Sequence, residues 1–253
     1  MDESQVKVSW EGEVVSVQVR STVWRYLIDN RTHRECGYNV FVKGAARACG
    51  AGTDALVPPS RGGQAYDFCV AISEKQQGKV GLHVGDRAKG TAWTPLHPKL
   101  EFADFYRAGA LKVTGRVGSE AITPTVRTDG EPCYDGTPIP RVTSSEYPGP
   151  PWTFAAPPLE VYSWRGARML GKACWKGRCF RCVWAAMADV TIQYDFDRGL
   201  TRHRAESFCY GPLSCGRYKM GPARSVPYKG RGSAEDVGWL DEICVQWRED
   251  DDE

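Results

Sequence analysis

Four cysteines set the tightest limit on what this chain can fold into. Cys179 and Cys182 form a C-x2-C pair, and Cys209 and Cys215 form a C-x5-C pair. Between them, "ADVTIQYDF" (188–196) and "LTRHRAESF" (200–208) alternate apolar with polar residues across the turn "DRG". Such alternation marks half-buried strands, so the spacer reads as a β-hairpin with one cysteine pair at each of its outer ends. Pairing the strands brings the four thiols together. A tetrahedral zinc site needs four ligands, with sulfur at about 2.3 Å from the metal. An iron–sulfur cluster also takes four thiolates, and the spacing leaves both open. The plainer alternative is a set of buried free thiols. Cys174, five residues before Cys179, is a further candidate ligand. Cys36, Cys49, Cys69, Cys133 and Cys244 lie outside the pattern and are expected to pack as small apolar groups.

Whether ten cysteines mean disulfides depends on the compartment. The opening "MDESQVKVSW" is acidic and polar, unlike a secretory leader. No apolar run approaches the roughly 20 residues of a membrane span. The expected location is cytoplasmic, where thiols serve as metal ligands or core residues more often than as disulfides. The 253 residues fit one large domain or two small ones.

The first section, 1–118, reads as β-structure. "VKVSWEGEVVSVQVR" (6–20) alternates as a long strand, with Gly12 as the expected bulge. "TVWRYLI" (22–28) is β-rich and is followed by a polar turn, "DNRTHRE", and the strand "GYNVFVKG" (37–44). A loop is expected over 44–64. "AYDFCVAIS" (65–73), "KVGLHVGDRAKGTAW" (79–93) and "LKVTGRV" (111–117) supply further strands, with a short helix over 98–109 between the last two. From 119 to 158 the chain is dense in Pro, Gly, Ser and Thr. It reads as a linker without strands or helices, packed on a domain through Trp152 and Phe154. The second section, 159–253, starts with a short helix, carries the cysteines and ends in the acidic "REDDDE".

Charge is unevenly placed. Between Arg165 and Arg231 fourteen Lys and Arg face only four Asp and Glu, an excess that attracts polyanions. After the last cysteine, Arg217, Lys219, Arg224, Lys229 and Arg231 are spread among Gly and Pro, with Tyr218 and Tyr228 interleaved. A loop of this kind can follow a phosphate backbone while its aromatics stack on bases; its bland alternative is a solvated segment. Trp24 and Tyr26 are stacking candidates in the first section, with Tyr38 and Phe41, some of which must be core.

Histidines are few and scattered (His33, His83, His97, His203), and no phosphate loop, nucleophile elbow or H-E-x-x-H motif is present. A site closed by four cysteines leaves no open coordination position, so zinc there is structural. A non-enzymatic role is favoured.

The phrase "VGDRAKGTAW", with the strand count and the bent first strand, resembles the OB barrel, and the cysteine hairpin resembles the zinc ribbon. The expected fold class is mainly β with short helices (α+β): an OB-like antiparallel barrel plus a four-cysteine zinc-ribbon-like module. The resemblance implies a nucleic-acid-binding protein acting on RNA or single-stranded DNA. Such a protein would work as one of the protein subunits of a ribonucleoprotein or DNA-handling complex, an RNA-guided effector complex among them. Two other readings stay open: an iron–sulfur enzyme or redox subunit, and an acyl- or small-molecule-binding accessory protein.

Overall fold

A computed structural model describes residues 5–26, 31–50, 65–116, 125–126, 132–134, 137–138, 156–195, 198–211, 215–221, 225–227 and 234–236. The fold is mostly β with a few short helices. Strands β1 (Lys7–Tyr26) and β2 (Arg31–Ala48) are long, and β3 (Phe68–Ile72) follows. Helix α1 (Glu74–Val80) leads to β4 (Arg87–Trp93) and β5 (Tyr106–Gly115). Three short strands come next, β6 (Thr125–Val126), β7 (Pro132–Tyr134) and β8 (Thr137–Pro138). The second section holds α2 (Leu159–Arg165), β9 (Arg168–Met169) and α3 (Lys172–Cys174), which runs into a π-helical turn, Trp175–Cys179. It continues with β10 (Ala185–Asp195), β11 (Leu200–Cys209) and a separate pair, β12 (Ser225–Pro227) and β13 (Ala234–Asp236). No helix among the described residues is long and apolar enough to cross a membrane.

β1 organises everything else. Its N-terminal half pairs antiparallel with β4, its whole length with β2, and its C-terminal half pairs parallel with β10, from Val19↔Ala186 to Tyr26↔Gln193. β3 extends the sheet beyond β2, and β5 beyond β4. At the far side Val70 of β3 bridges Phe105 in parallel, and Ala71 N–H donates to the Phe105 carbonyl at 2.8 Å. The expected hairpin is therefore strands β10 and β11, but it is laid along β1 in the same sheet. Buried residues of both sections form one hydrophobic core.

Glycine permits the closest strand contact. A Cβ on Gly44 would stand 2.0 Å from the Glu11 carbonyl oxygen, and one on Gly12 would stand 2.3 Å from that of Lys43. Gly12 is thus where β1 presses against β2. The expected bulge lies further on, with register shifts at Val14/Ser16 and Arg20/Ser21.

Other expectations are corrected. The helix expected over 98–109 is absent: 98–105 turns, and β5 starts at Tyr106. Phe102, Ala103 and Phe105 are buried in succession, and Asp104 Oδ2 accepts the Cys69 N–H at 2.8 Å, which pins an irregular segment to β3. The helix is instead α1, started by a capping box in which Ser73 and Gln76 satisfy each other's backbone N–H, and stopped by left-handed Gly81. The polar stretch expected to turn is already strand from Arg31, and Gly44–Ala48 belong to β2. The linker carries β6, β7 and β8. Trp152 and Phe154 lie outside the described residues.

Candidate metal centre

The cysteine-bearing turn before β10 packs on strands β1 and β2. Phe180 is buried, and its ring stacks on Tyr66 at 5.4 Å and meets Phe41 edge-on at 5.1 Å. Its carbonyl oxygen accepts from Ser16 Oγ at 2.7 Å and from Gln18 Nε2 at 2.6 Å, both fully buried residues of β1. Gln18 Oε1 accepts the Trp175 indole N–H at 3.1 Å. The sequence between Cys174 and Cys182 is therefore held from beneath by polar side chains in an otherwise apolar core, each satisfied.

Above this floor the thiols gather. Cys174, Cys179, Cys182 and Cys209 are buried and Cys215 is half-buried. Burial, then Cys174, Cys209 and Cys215, push the Cys179 thiol up to about 12. Cys182 is raised by burial and by Cys209, Cys179 and Cys215, against a backbone hydrogen bond from Trp184 that pulls it down. Cys179, Cys182, Cys209 and Cys215 are thus within electrostatic reach of one another. Crowded buried thiols resist ionising, and a dication among them reverses that preference.

Two of these sulfurs accept backbone N–H groups from the residue two positions on: Cys182 from Trp184, and Cys209 from Gly211 at 3.3 Å. Such bonds stabilise a thiolate and orient it as a ligand. Cys174 Sγ lies 3.8 Å from Cys179 Sγ and donates to the Arg217 carbonyl at 3.1 Å, so it stands beside Cys179 as a further candidate ligand. Among the described residues, no group of three or more His, Cys, Asp or Glu stands at metal-ligand spacing. The donor chemistry fits a thiophilic ion such as zinc.

Beside the thiols opens a cavity of about 620 Å³, with Lys172, Arg178, Arg204 and Lys219 on its walls and Glu206 as its acid. Glu206 is buried, with Arg204 Nε at 2.8 Å and Lys172 Nζ at 3.7 Å. Gly171 N–H donates to the Lys219 carbonyl at 2.9 Å, which ties the start of the basic loop to this wall.

Arg217 and Lys219 are exposed, and Lys219 lines the cavity. Tyr218 is half-buried. Its hydroxyl donates to Met169 O at 2.6 Å, and Arg168 lies 3.7 Å over its ring, so that ring face is already covered. Arg224, Tyr228, Lys229, Arg231 and the side chain of Tyr26 lie outside the described residues. Trp24 is 38% exposed, whereas Tyr38 and Phe41 are core. Cys69 packs in the core as expected, but Cys49 is exposed and Cys36 is half-buried; the Cys133 side chain and Cys244 are not described.

A partly buried polar set was not anticipated. His33 Nε2 lies 2.7 Å from Tyr210 Oη, Tyr210 Oη donates to Glu35 at 3.1 Å, and Ser163 Oγ donates to Glu35 at 2.7 Å. It joins β2 to α2 and to the residue after Cys209. No local pattern could have revealed it, since the hydrogen-bonded partners are 128 to 177 residues apart in sequence. No family model matches the chain, and neither a curated protein nor a solved structure matches it.

Proposed function

We propose that the chain is a non-enzymatic nucleic-acid-binding protein whose OB-like barrel is braced by a structural zinc held by Cys179, Cys182, Cys209 and Cys215. The observation that carries the reading is the cavity walled by four cations and by Cys174, with N–H···S bonds at Cys182 and Cys209 in the same section of the fold. Zinc, when bound, would neutralise the crowded thiolates. The chain's own residues do the binding. Lys172, Arg178, Arg204 and Lys219 meet phosphate, Arg217 extends the surface, and Glu206 holds Arg204 and Lys172 in place. The barrel reading rests on the circuit β3-β2-β1-β4-β5 with the Val70–Phe105 bridge at its ends. A place as one subunit inside a larger cytoplasmic RNA or DNA complex is part of the same proposal.

Elemental analysis of the purified protein, with its visible spectrum, separates zinc from an iron–sulfur cluster. Binding to labelled RNA and single-stranded DNA across a salt series tests the rest. Each phosphate contact on a single strand contributes roughly −0.7 to the slope of log K against log salt. Lys172→Ala with Lys219→Ala is expected to flatten it by about 1.4. Absence of binding by the wild type at low salt overturns the nucleic-acid reading.

A further inference from the structure

The outward face of the four-stranded sheet β2-β1-β4-β5 is far from neutral. Period-two alternation sends Lys43, Ala45 and Arg47 of β2 outward, with Lys7, Ser9, Glu11 and Glu13 of β1, Arg87, Lys89 and Thr91 of β4, and Lys112 of β5. Register sets them in rows. Arg47 stands across from Ser9 and Ser9 from Thr91; Ala45, Glu11, Lys89 and Lys112 form the next row; Lys43, Glu13 and Arg87 the third. Six cations thus share one face with two carboxylates. Among the described residues no ion pair joins any of the six to an acid.

The middle of the face is a hollow of about 400 Å³, because its floor is made of small residues, Ser9, Ala45, Gly90, Thr91 and Ala110. Arg47, Lys89 and Lys112 stand on its rim. The β4–β5 pairing is irregular here, with register shifts on both sides of Thr91, and Ala110 adopts a positive φ of 47°. A non-glycine residue held left-handed is strained and persists where the surroundings demand it.

We infer that this sheet face is a second nucleic-acid surface, one that takes a single strand by its phosphodiester backbone. The inference rests on the nucleic-acid reading above and names a different part of the molecule. Charge complementarity selects the occupant: Arg47, Lys89 and Lys112, from three different strands, ring the hollow, and Lys43 and Arg87 continue the positive charge along β2 and β4, so that neighbouring phosphates of one strand can be met. The hollow favours a single strand over a duplex, because only an unpaired nucleotide can turn its sugar or base into it. Glu11 also lines the hollow, as its one carboxylate, and it opposes the phosphates.

The test is a salt titration of the full chain with a labelled single strand, in RNA and DNA forms, and with the matching duplex. Arg47→Ala, Lys89→Ala and Lys112→Ala together are expected to flatten the slope of log K against log salt by about 2 on the single strand. Glu11→Gln is expected to tighten binding, a direction that a folding defect does not produce. Wild-type binding with an unchanged slope in the triple variant, and no gain from Glu11→Gln, overturns this surface while leaving the cavity reading intact. Tighter binding of the duplex, lost equally in the triple variant, overturns the single-strand assignment. A wild type that binds no nucleic acid at low salt overturns both readings together.

Discussion

The Gln18 amide donates to the Phe180 carbonyl oxygen at 2.6 Å, across 162 residues of sequence and with both residues buried. This bond, with the one from Trp175 to Gln18, makes the middle of β1 the foundation of the cysteine knuckle. Gln18→Ala leaves the Trp175 N–H without a partner and the Phe180 carbonyl with Ser16 alone. An unsatisfied buried group costs about 1–3 kcal/mol. Urea unfolding is expected to show a loss of that size, together with weaker zinc retention against a chelator. Unchanged stability would mean that the knuckle does not depend on β1.

The ligand set is separable from its neighbours. Cys182→Ser, Cys209→Ser and Cys215→Ser are each expected to bring zinc from one per chain to near none and to lower the melting temperature, because binding energy in a structural site is folding energy. Cys174→Ser and the exposed Cys49→Ser are expected to keep the metal. Elemental analysis of the five purified variants checks this. Metal loss in Cys174→Ser with retention in Cys215→Ser would exchange the two in the assignment.

Close strand contact predicts two opposite glycine effects. Gly44→Ala would set a Cβ against the Glu11 carbonyl and Gly12 Cα, backbone atoms that cannot rotate away. A loss of about 1–3 kcal/mol or more is expected. Gly78 in α1 has nothing within 4 Å of its would-be Cβ. Gly78→Ala is expected to stabilise by about 0.5–1 kcal/mol through helix propensity. Thermal melts of the two variants beside the wild type are the measurement.

Tyr162 supplies a pH signature. Its hydroxyl donates to Val183 O at 2.8 Å, and burial, then Tyr38, Cys182 and Tyr210, push its ionisation well above the ordinary value of 10.0. The folded state therefore holds the proton more tightly than the unfolded state. The stabilisation is complete below pH 10 and is lost as pH rises beyond it. Tyr162→Phe is expected to cost about 1 kcal/mol at pH 7, and the gap between the two proteins should close as pH is raised above 10. Urea titrations at three pH values follow it; a constant gap would show that Tyr162 does not ionise in the unfolded chain over that range.

Much of the local structure was legible. The period-two pattern of 188–196 and 200–208 announced β10 and β11, since a half-buried hairpin must alternate whatever it packs on. The pattern of 159–165 announced α2. Helix α1 was legible too, in the S-x-x-Q capping box before Gly81, but its one buried residue, Gln77, gives it no apolar stripe to notice. The segment 98–109 misled for the converse reason. Leu100, Ala103 and Phe105 or Tyr106 fall at roughly helical spacing, yet Phe102 and Phe105 are buried by contact with the β-strands and not by a helix face.

The sequence by itself determined the mainly β character and the hairpin, because each follows from side-chain alternation over a few residues. Only the tertiary structure decided that β10 runs parallel to β1, that Ser16 and Gln18 carry the knuckle, and that Cys174 donates its proton to Arg217. It also decided that six cations from four strands share one face. Those relationships join residues far apart in the chain. Local pattern fixes which face of a strand is apolar, whereas its neighbours are chosen by burial and hydrogen-bond satisfaction across the whole core.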